Sequence, residues 1–254
     1  MQYKKKLGQH FLKDQNIIDK LVRHINPSKN DEIIEIGPGD GAMTKSIIKE
    51  VKKMILIEKD YDLIESLKNN FSEYHNSSII NIDVLKYDLN DIDKPVRVIG
   101  NLPYNISTEI IFKMCNCNKI IDMHFMLQKE VVDRIVAEPD SKVYGRLSIM
   151  AQAYFKVKKL FDISENVFSP KPKVKSSFVR FYARQYPFFN KIHENIFHDI
   201  VKSAFEGRRK MIKTSLKSYL SANDFSDMNL KPNLRAENLT VNDYIFISDY
   251  VQKV

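Results

Sequence analysis

Asn101-Leu102-Pro103-Tyr104 sets a carboxamide, a proline-stiffened backbone and a phenol ring side by side. The apolar run Val96, Val98, Ile99, Gly100 precedes it, and Asn105-Ile106-Ser107-Thr108 follows. That pattern predicts a strand, a sharp loop, and a helix capped by Ser107 or Thr108. The side-chain amide and the carbonyls that Pro103 helps hold outward are hydrogen-bond acceptors, and Tyr104 adds an aromatic face. Those parts fit an exocyclic amine on a flat base: the acceptors take its N–H bonds while the ring stacks on the base. Read alone, such a tetrapeptide is more often a plain turn, so the rest of the chain decides.

Other residues of the right type fall at strand ends upstream. Asp31-Glu32-Ile33-Ile34-Glu35-Ile36 runs into Gly37-Pro38-Gly39-Asp40-Gly41, after which a helix starts. A β-rich run, a glycine loop and a helix form the first unit of a Rossmann-like sheet. Dinucleotide loops favour Gly-x-Gly-x-x-Gly aimed at a pyrophosphate. The Gly-x-Gly-x-Gly spacing here instead fits S-adenosylmethionine, which has no phosphate and needs close backbone approach to its amino-acid and ribose parts. A glycine-rich turn without a ligand is the other reading. The second strand, Met54–Glu58, ends in an acid about 20 residues beyond the loop, where doubly wound folds bind ribose hydroxyls. The third, Ser78–Asp83, also ends in an acid, able to accept from an adenine amino group; Asp88 competes with Asp83 for that role. Four successive strand ends therefore bring glycines, Glu58, Asp83 and Asn101 toward one crevice, because open α/β sheets bind ligands outside the carboxyl ends of their strands.

The remaining elements position these groups. Asp14 caps a helix whose Ile17, Ile18, Leu21, Val22 and Ile25 share one face. Asp122–Gln128 reads as a buried fifth strand, with His124 a satisfied core or edge histidine. A helix starts at Lys129 and another near Tyr144-Gly145-Arg146-Leu147-Ser148, followed by a strand around Ala153–Phe161 and a last strand, Val174–Tyr182. The loop Phe168-Ser169-Pro170-Lys171-Pro172-Lys173 is stiffened by its prolines. Phe168 is either core or the ring opposite Tyr104. After Arg184 the spacing is helical to the end. The chain thus divides into a Rossmann-like α/β domain with a basic arm, 1–184, and a small all-helical domain, 185–254. In the latter, Arg208-Arg209-Lys210 is either a solvated face or a phosphate grip.

Composition narrows the partners. A net charge of +8 over 254 residues favours a polyanion. Lys4-Lys5-Lys6 and Lys13 occur with no acid before Asp14, either as a solvated terminus or as a phosphate-contacting arm. The segment after Lys6 is too polar for a signal peptide, and no apolar run is long enough for a bilayer. Cys115 and Cys117 lack a second ligand pair nearby, so they read as free thiols and no metal is expected. A monomer acting in a reducing cytoplasm is expected.

Taken together, the motifs resemble those of the ribosomal RNA adenine-N6,N6 dimethyltransferases, in particular the bacterial branch acting on small-subunit (16S) RNA. The resemblance is carried by Gly8-Gln9-His10-Phe11-Leu12, Glu35-Ile36-Gly37-Pro38-Gly39, Asn101-Leu102-Pro103-Tyr104-Asn105-Ile106-Ser107-Thr108, Met126-Leu127-Gln128-Lys129-Glu130-Val131, Tyr144–Ser148 and Phe168-x-Pro170-x-Pro172-Lys173-Val174. It runs from Lys6 to about Arg180 and returns at Phe205–Leu216. It implies an S-adenosylmethionine site of His10, Leu12, Gly37, Glu58, Asp83 and Asn101, and a catalytic loop of Asn101, Leu102, Pro103 and Tyr104, with an adenine slot between Tyr104 and Phe168. It also implies dimethylation of two adjacent adenosines near the 3′ end of 16S RNA in an immature small subunit. Some relatives carry Asn in place of His10. The alternatives are a large-subunit RNA adenine dimethyltransferase and a non-catalytic RNA-binding assembly factor. A nicotinamide oxidoreductase would share Glu58 but not the glycine spacing or the Asn-x-Pro-Tyr loop.

Overall fold

The computed structural model describes residues 9–185, 188 and 190–253. The lysines at positions 4–6 and Gly8, which the sequence reading placed in a basic arm, lie outside the described residues. Contacts divide the chain into two compact units. The first comprises the described residues up to Val132 together with Lys158–Ala183; the second comprises Asp133–Val157 and the residues from Arg184 onward. Residues 133–157, which sequence spacing groups with the sheet, therefore group with the C-terminal helices.

A seven-stranded sheet carries the first unit. Its strands are β2 (Glu32–Ile36), β3 (Lys53–Glu58), β4 (Ser77–Asn81), β5 (Val96–Asn101), β6 (Ile120–Gln128), β7 (Phe155–Ile163) and β9 (Ser176–Ala183), in the order β4-β3-β2-β5-β6-β9-β7. The first five are mutually parallel, and β9 runs antiparallel to β6. Strands covered on both faces need continuous apolar runs; Ile33, Ile34 and Ile36 of β2 and Val98 and Ile99 of β5 are all buried. A separate two-stranded ribbon joins β1 (Phe11–Leu12) to β8 (Phe168–Ser169). The strand order reverses between β2 and β5, which is where such sheets open a crevice.

Register sets the level of the strand tips. Ile36 pairs with Ile57 on one side and with Gly100 on the other. One residue further on, Gly37, Glu58 and Asn101 therefore stand abreast. Glu58 pairs with Asn81, so Asp83 lies in the turn two residues beyond β4 rather than at its tip. A side chain at Gly100 would put its Cβ 2.6 Å from the Ile36 carbonyl, so the tight seam between β2 and β5 requires glycine there.

Helix α1 (Gln15–Ile25) is capped by Asp14, whose carboxylate accepts from the Ile17 N–H at 3.1 Å, and it buries Ile18, Leu21 and Ile25. After the glycine loop comes α2 (Ala42–Ile47), and after β3 comes α3 (Tyr61–Asn70). Helix α4 (Ser107–Met114) begins one residue before the expected cap takes effect: Ile106 is the N-cap, and the Ser107 hydroxyl donates back to the Tyr104 carbonyl at 3.3 Å. The chain continues with α5 (Lys129–Ile135) and α6 (Arg146–Tyr154), so the helix extends into the start of the expected strand and β7 begins at Phe155.

Away from the crevice, Arg97 of β5 ties the sheet together. Its Nε donates to Asp122 at 2.8 Å, its Nη1 to Asp31 at 2.7 Å and its Nη2 to the Ile25 carbonyl at 2.6 Å. Arg180 of β9 donates to the same Asp122 at 2.5 Å. His124, beside them on β6, is fully buried, yet neither ring nitrogen has a hydrogen-bond partner among the described residues. The expectation of a satisfied histidine is thus corrected. Burial outweighs the nearby Asp122 and pushes its pKa down to about 3, so the ring is neutral packing against Phe178.

In the second unit α6 packs with α7 (Lys191–Glu206) and α10 (Val241–Lys253), and α8 (Ile212–Ser215) and α9 (Ala222–Asp227) lie between the last two in sequence. Buried phenols supply the polar ties: Tyr144 donates to the Leu239 carbonyl at 3.0 Å and Tyr154 to Glu194 at 2.5 Å. Thr240 and Asp243 cap α10 reciprocally, as their spacing suggests.

Candidate active site

One cavity opens at the strand tips of the first unit. Gly37, Glu58, Asp83, Asn101 and Tyr104 line it, as do His10 and Leu12 from the β1–β8 ribbon. Gly37 has φ +65°, and a Cβ there would meet nothing within 4 Å. Its missing side chain is therefore open space on the cavity wall. Gly39, at φ +61°, is close-packed instead: a Cβ would lie 2.9 Å from the Phe11 ring. The loop thus combines a bare backbone facing the cavity with a tight seat beneath the ribbon.

Glu58 is only 7% exposed. One oxygen accepts from the Gly39 N–H at 3.2 Å and the other from the Asp60 N–H at 2.8 Å. Burial nevertheless raises its pKa, because these dipoles only partly replace water. Asp83 is different. Burial acts to raise its pKa, but Lys59 at 2.7 Å and the Leu85 N–H at 3.0 Å outweigh that and leave it lowered. Lys59 itself lines the cavity.

At the tip of β5 the Asn101 amide donates through Nδ2 to the His10 carbonyl at 2.7 Å. The assignment of nitrogen and oxygen follows from that acceptor, and it leaves Oδ1 as the acceptor for a ligand. Leu102 is buried, with its N–H bonded to the Met126 carbonyl at 3.2 Å, and Pro103's carbonyl closes a turn onto the Ile106 N–H at 3.2 Å. Tyr104 is held by its hydroxyl, 2.6 Å from Ser176 Oγ. Burial raises its pKa, the Ser176 bond opposing, so the phenol stays protonated.

The ribbon fixes the remaining groups. Leu12 pairs with Phe168 and Phe11 with Ser169. The Lys13 N–H donates to the Val167 carbonyl at 2.9 Å, and the His10 imidazole binds the Pro170 carbonyl through Nδ1 at 2.7 Å. The His10 ring lies 5.6 Å from the Tyr104 ring, tilted by 31°. Phe168 is 5% exposed, belongs to the core and is not part of the cavity wall. Pairing with Leu12 turns its ring into the core, and the ring beside Tyr104 in this structure is that of His10. Every other residue expected at the site lines the one cavity.

Glu35 and Lys59, both on the wall, went unassigned in the sequence reading. Glu35, in the middle of β2, is 1% exposed and accepts from the Thr44 hydroxyl at 2.6 Å. Burial raises its pKa to about 7. The available signal was an acid set inside a run of isoleucines on a doubly covered strand. Lys59 had only its place next to Glu58 to mark it.

A family described as ribosomal RNA adenine dimethylase matches residues 1–253. A ribosomal RNA small subunit methyltransferase A from Wigglesworthia glossinidia brevipalpis is 46% identical over 253 residues, covering 96% of each chain. One from Marinomonas sp. is 42% identical, covering 98% of this chain and 96% of that one. Among solved structures, a dimethyladenosine transferase from Plasmodium falciparum aligns with TM-score 0.85 at 24% identity, over 96% of this chain and 98% of that one. The 23S rRNA methyltransferase ErmE aligns with TM-score 0.75 at 20% identity, over 95% and 99%. These two likenesses concern the fold.

Proposed function

The chain belongs to the ribosomal RNA adenine dimethylase family and is an rRNA methyltransferase; from that premise we propose that it dimethylates N6 of two adjacent adenosines near the 3′ end of 16S rRNA. The methyl donor in this reading is S-adenosylmethionine, and the substrate is an immature small ribosomal subunit met by a monomer in the cytoplasm. The relatives' names favour the small-subunit reaction over the large-subunit one.

The observation that carries the reading is the abreast placement of Gly37, Glu58 and Asn101, with the Asn101 amide already oriented by the His10 carbonyl. The wall fits the donor: bare backbone at Gly37 for the amino-acid part, Glu58 for ribose hydroxyls, and Asp83 for the adenine amine. When bound, S-adenosylmethionine supplies a methyl on a sulfonium, which needs no further activation.

The protein's work lies with the target amine. Its lone pair is delocalised into the ring, which makes it a poor nucleophile. Asn101 Oδ1 and the Leu102 carbonyl accept its N–H bonds, and Pro103's carbonyl is already engaged by the turn. Accepting both bonds out of the ring plane localises the lone pair toward the donor. Preorganised dipoles and alignment supply the acceleration. The base must leave its stack, and stacking on Tyr104 offsets part of that cost, about 1–3 kcal/mol. Exposed Arg209, Lys210 and Lys213 in the second unit are suited to phosphates and add no base readout.

The direct test is incubation of undermethylated small-subunit particles with labelled donor, followed by mapping of modified nucleosides. Dimethyladenosine at two adjacent positions near the 3′ end is expected. Label confined to large-subunit RNA, or cofactor binding without transfer, would refute the reading.

A further inference from the structure

We propose that Ser176 is a positioning residue for methyl transfer: through the Tyr104 hydroxyl it fixes the plane of the ring on which the target base stacks. The inference rests on the reading of the cavity as a site of methyl transfer to adenine N6.

The turn that carries the ring settles its backbone and leaves its side chain free. Pro103's carbonyl accepts from the Ile106 N–H at 3.2 Å, and Tyr104's own carbonyl accepts from the Ser107 hydroxyl at 3.3 Å. A tyrosine on a fixed backbone still rotates about its side-chain torsions. Rotation about the first of them carries the phenol oxygen furthest, so a bond at that oxygen restrains the ring most tightly. The Tyr104 and Ser176 hydroxyls lie 2.6 Å apart, and neither oxygen has another partner among the described residues. Ser176 is fully buried. A hydroxyl so deep is unfavourable without a partner, and its partner here is a ring on the cavity wall. The next residue, Ser177, gives its hydroxyl to Asp162 instead, at 2.6 Å.

One strand gauges both the ring and the amide. Asn101 of β5 pairs with Met126 of β6, and Ser176 of β9 pairs with Gln128 of the same strand. Met126 and Gln128 are two residues apart, so all four side chains share one face of the sheet. The acceptor for the target amine and the anchor for the stacking ring are therefore set by a single ladder.

Alignment is what this anchor supplies. A base stacked on Tyr104 takes its tilt from the ring, and its amine reaches Asn101 Oδ1 and the Leu102 carbonyl together only within a narrow range of tilts. Misplacement of reacting atoms by about 1 Å costs about 10²-fold in rate. The demand grows after the first transfer. That step forms an N–C bond and breaks the donor's S–C bond, and a proton leaves to water. The monomethyl amine then keeps one N–H, so one of its two orienting bonds is gone. More of the alignment falls to the stack, and the second methylation is the step more sensitive to a loose ring.

The experiment measures single-turnover methylation of undermethylated particles at saturating donor and resolves monomethyl- from dimethyladenosine. Wild type, Ser176→Ala, Tyr104→Phe and the double variant are compared, with donor affinity, particle affinity and melting temperature measured separately. Ser176→Ala should slow transfer by about tenfold and accumulate monomethyl product, with both affinities unchanged. Tyr104→Phe keeps the ring and loses the anchor, so it should show the same defect. The double variant should be no worse than either single one, because both remove one contact. A wild-type rate in either single variant overturns the proposal. Losses that multiply in the double variant overturn it too, since Ser176 would then act by another route than Tyr104. Slowing of Ser176→Ala that tracks weaker donor binding would make Ser176 a prop of the donor site and likewise overturn it. Should Ser176→Ala fail to fold, Tyr104→Phe decides alone: a full rate overturns the proposal, and slowing with donor affinity kept supports it. Wild type that transfers no methyl would instead refute the underlying reading, and the proposal with it.

Discussion

Arg97 and Asn101 stand on the same strand, one at the end of β5 away from the cavity and one lining it, and the protein treats charge oppositely around them. Near Arg97 each buried ion meets a counter-ion. Asp122 takes both Arg97 and Arg180, which outweigh burial and hold its pKa below the ordinary carboxylate range. Near Asn101, Glu35 and Glu58 meet dipoles among the described residues: a hydroxyl for Glu35 and backbone N–H groups for Glu58. Burial wins there and both pKa values rise. Paired burial is architecture, because both partners are supplied by the chain. Acids buried at a cavity wall without a cation are open to a ligand.

The largest break in that contrast is Asn101→Ala. In the proposed mechanism it removes the acceptor for the target amine, and it should lower the single-turnover methylation rate by about 10²-fold or more, with donor binding partly retained in calorimetry. Full activity would defeat the role given to the amide. At the other end, Asp122→Ala leaves Arg97 with Asp31 alone as counter-ion, takes the Asp122 carboxylate from Arg180 as well, and should cost about 3–5 kcal/mol in urea unfolding. A loss confined to donor affinity, with stability intact, would erase the distinction between the two ends.

Next in size comes pH. The Glu35 pKa is raised to about 7, so its contribution to stability is present below its ordinary 4.5 and is lost as pH rises through about 7. The loss is on the order of 3 kcal/mol, and Glu35→Gln should flatten it in denaturation series at several pH values. Asp122 has the opposite signature: its contribution is present at neutral pH and is lost as pH falls through a value below 3.8. The smallest effect is at Asp83. Lys59 occupies one oxygen of Asp83, the acid proposed for the adenine amine, and the pair is half-exposed on the lysine side. Lys59→Met should tighten donor binding by about two- to fivefold, in line with a surface pair worth about 0.2–1 kcal/mol. Weaker binding would show that the ammonium assists rather than competes.

The upper end was largely legible because its information is local. A glycine loop, an acid closing a strand and an amide before a proline each announce their place by position relative to an apolar run, and parallel pairing then sets them abreast. Phe168 was left open because only pairing with Leu12, some 150 residues away in sequence, decides which way its ring turns. Arg97, Asp122 and Arg180 were opaque for the same reason: nothing local says that three charges on three strands will meet. The pKa of Glu35 depends on burial from both faces of the sheet, which a single strand's residues do not reveal.

Arg97 also disciplines the assembly of the sheet. A slip of β5 by one residue against β2 would turn the guanidinium to the opposite face, without its acids, and would push a bulkier residue into the gap that Gly100 leaves at the Ile36 carbonyl. Asn101 lies about 13 Å further along, at about 3.3 Å per residue. Misthreaded sheets are thus penalised at a point remote from any substrate. The amide's address is thus written during folding, level with Gly37 and Glu58.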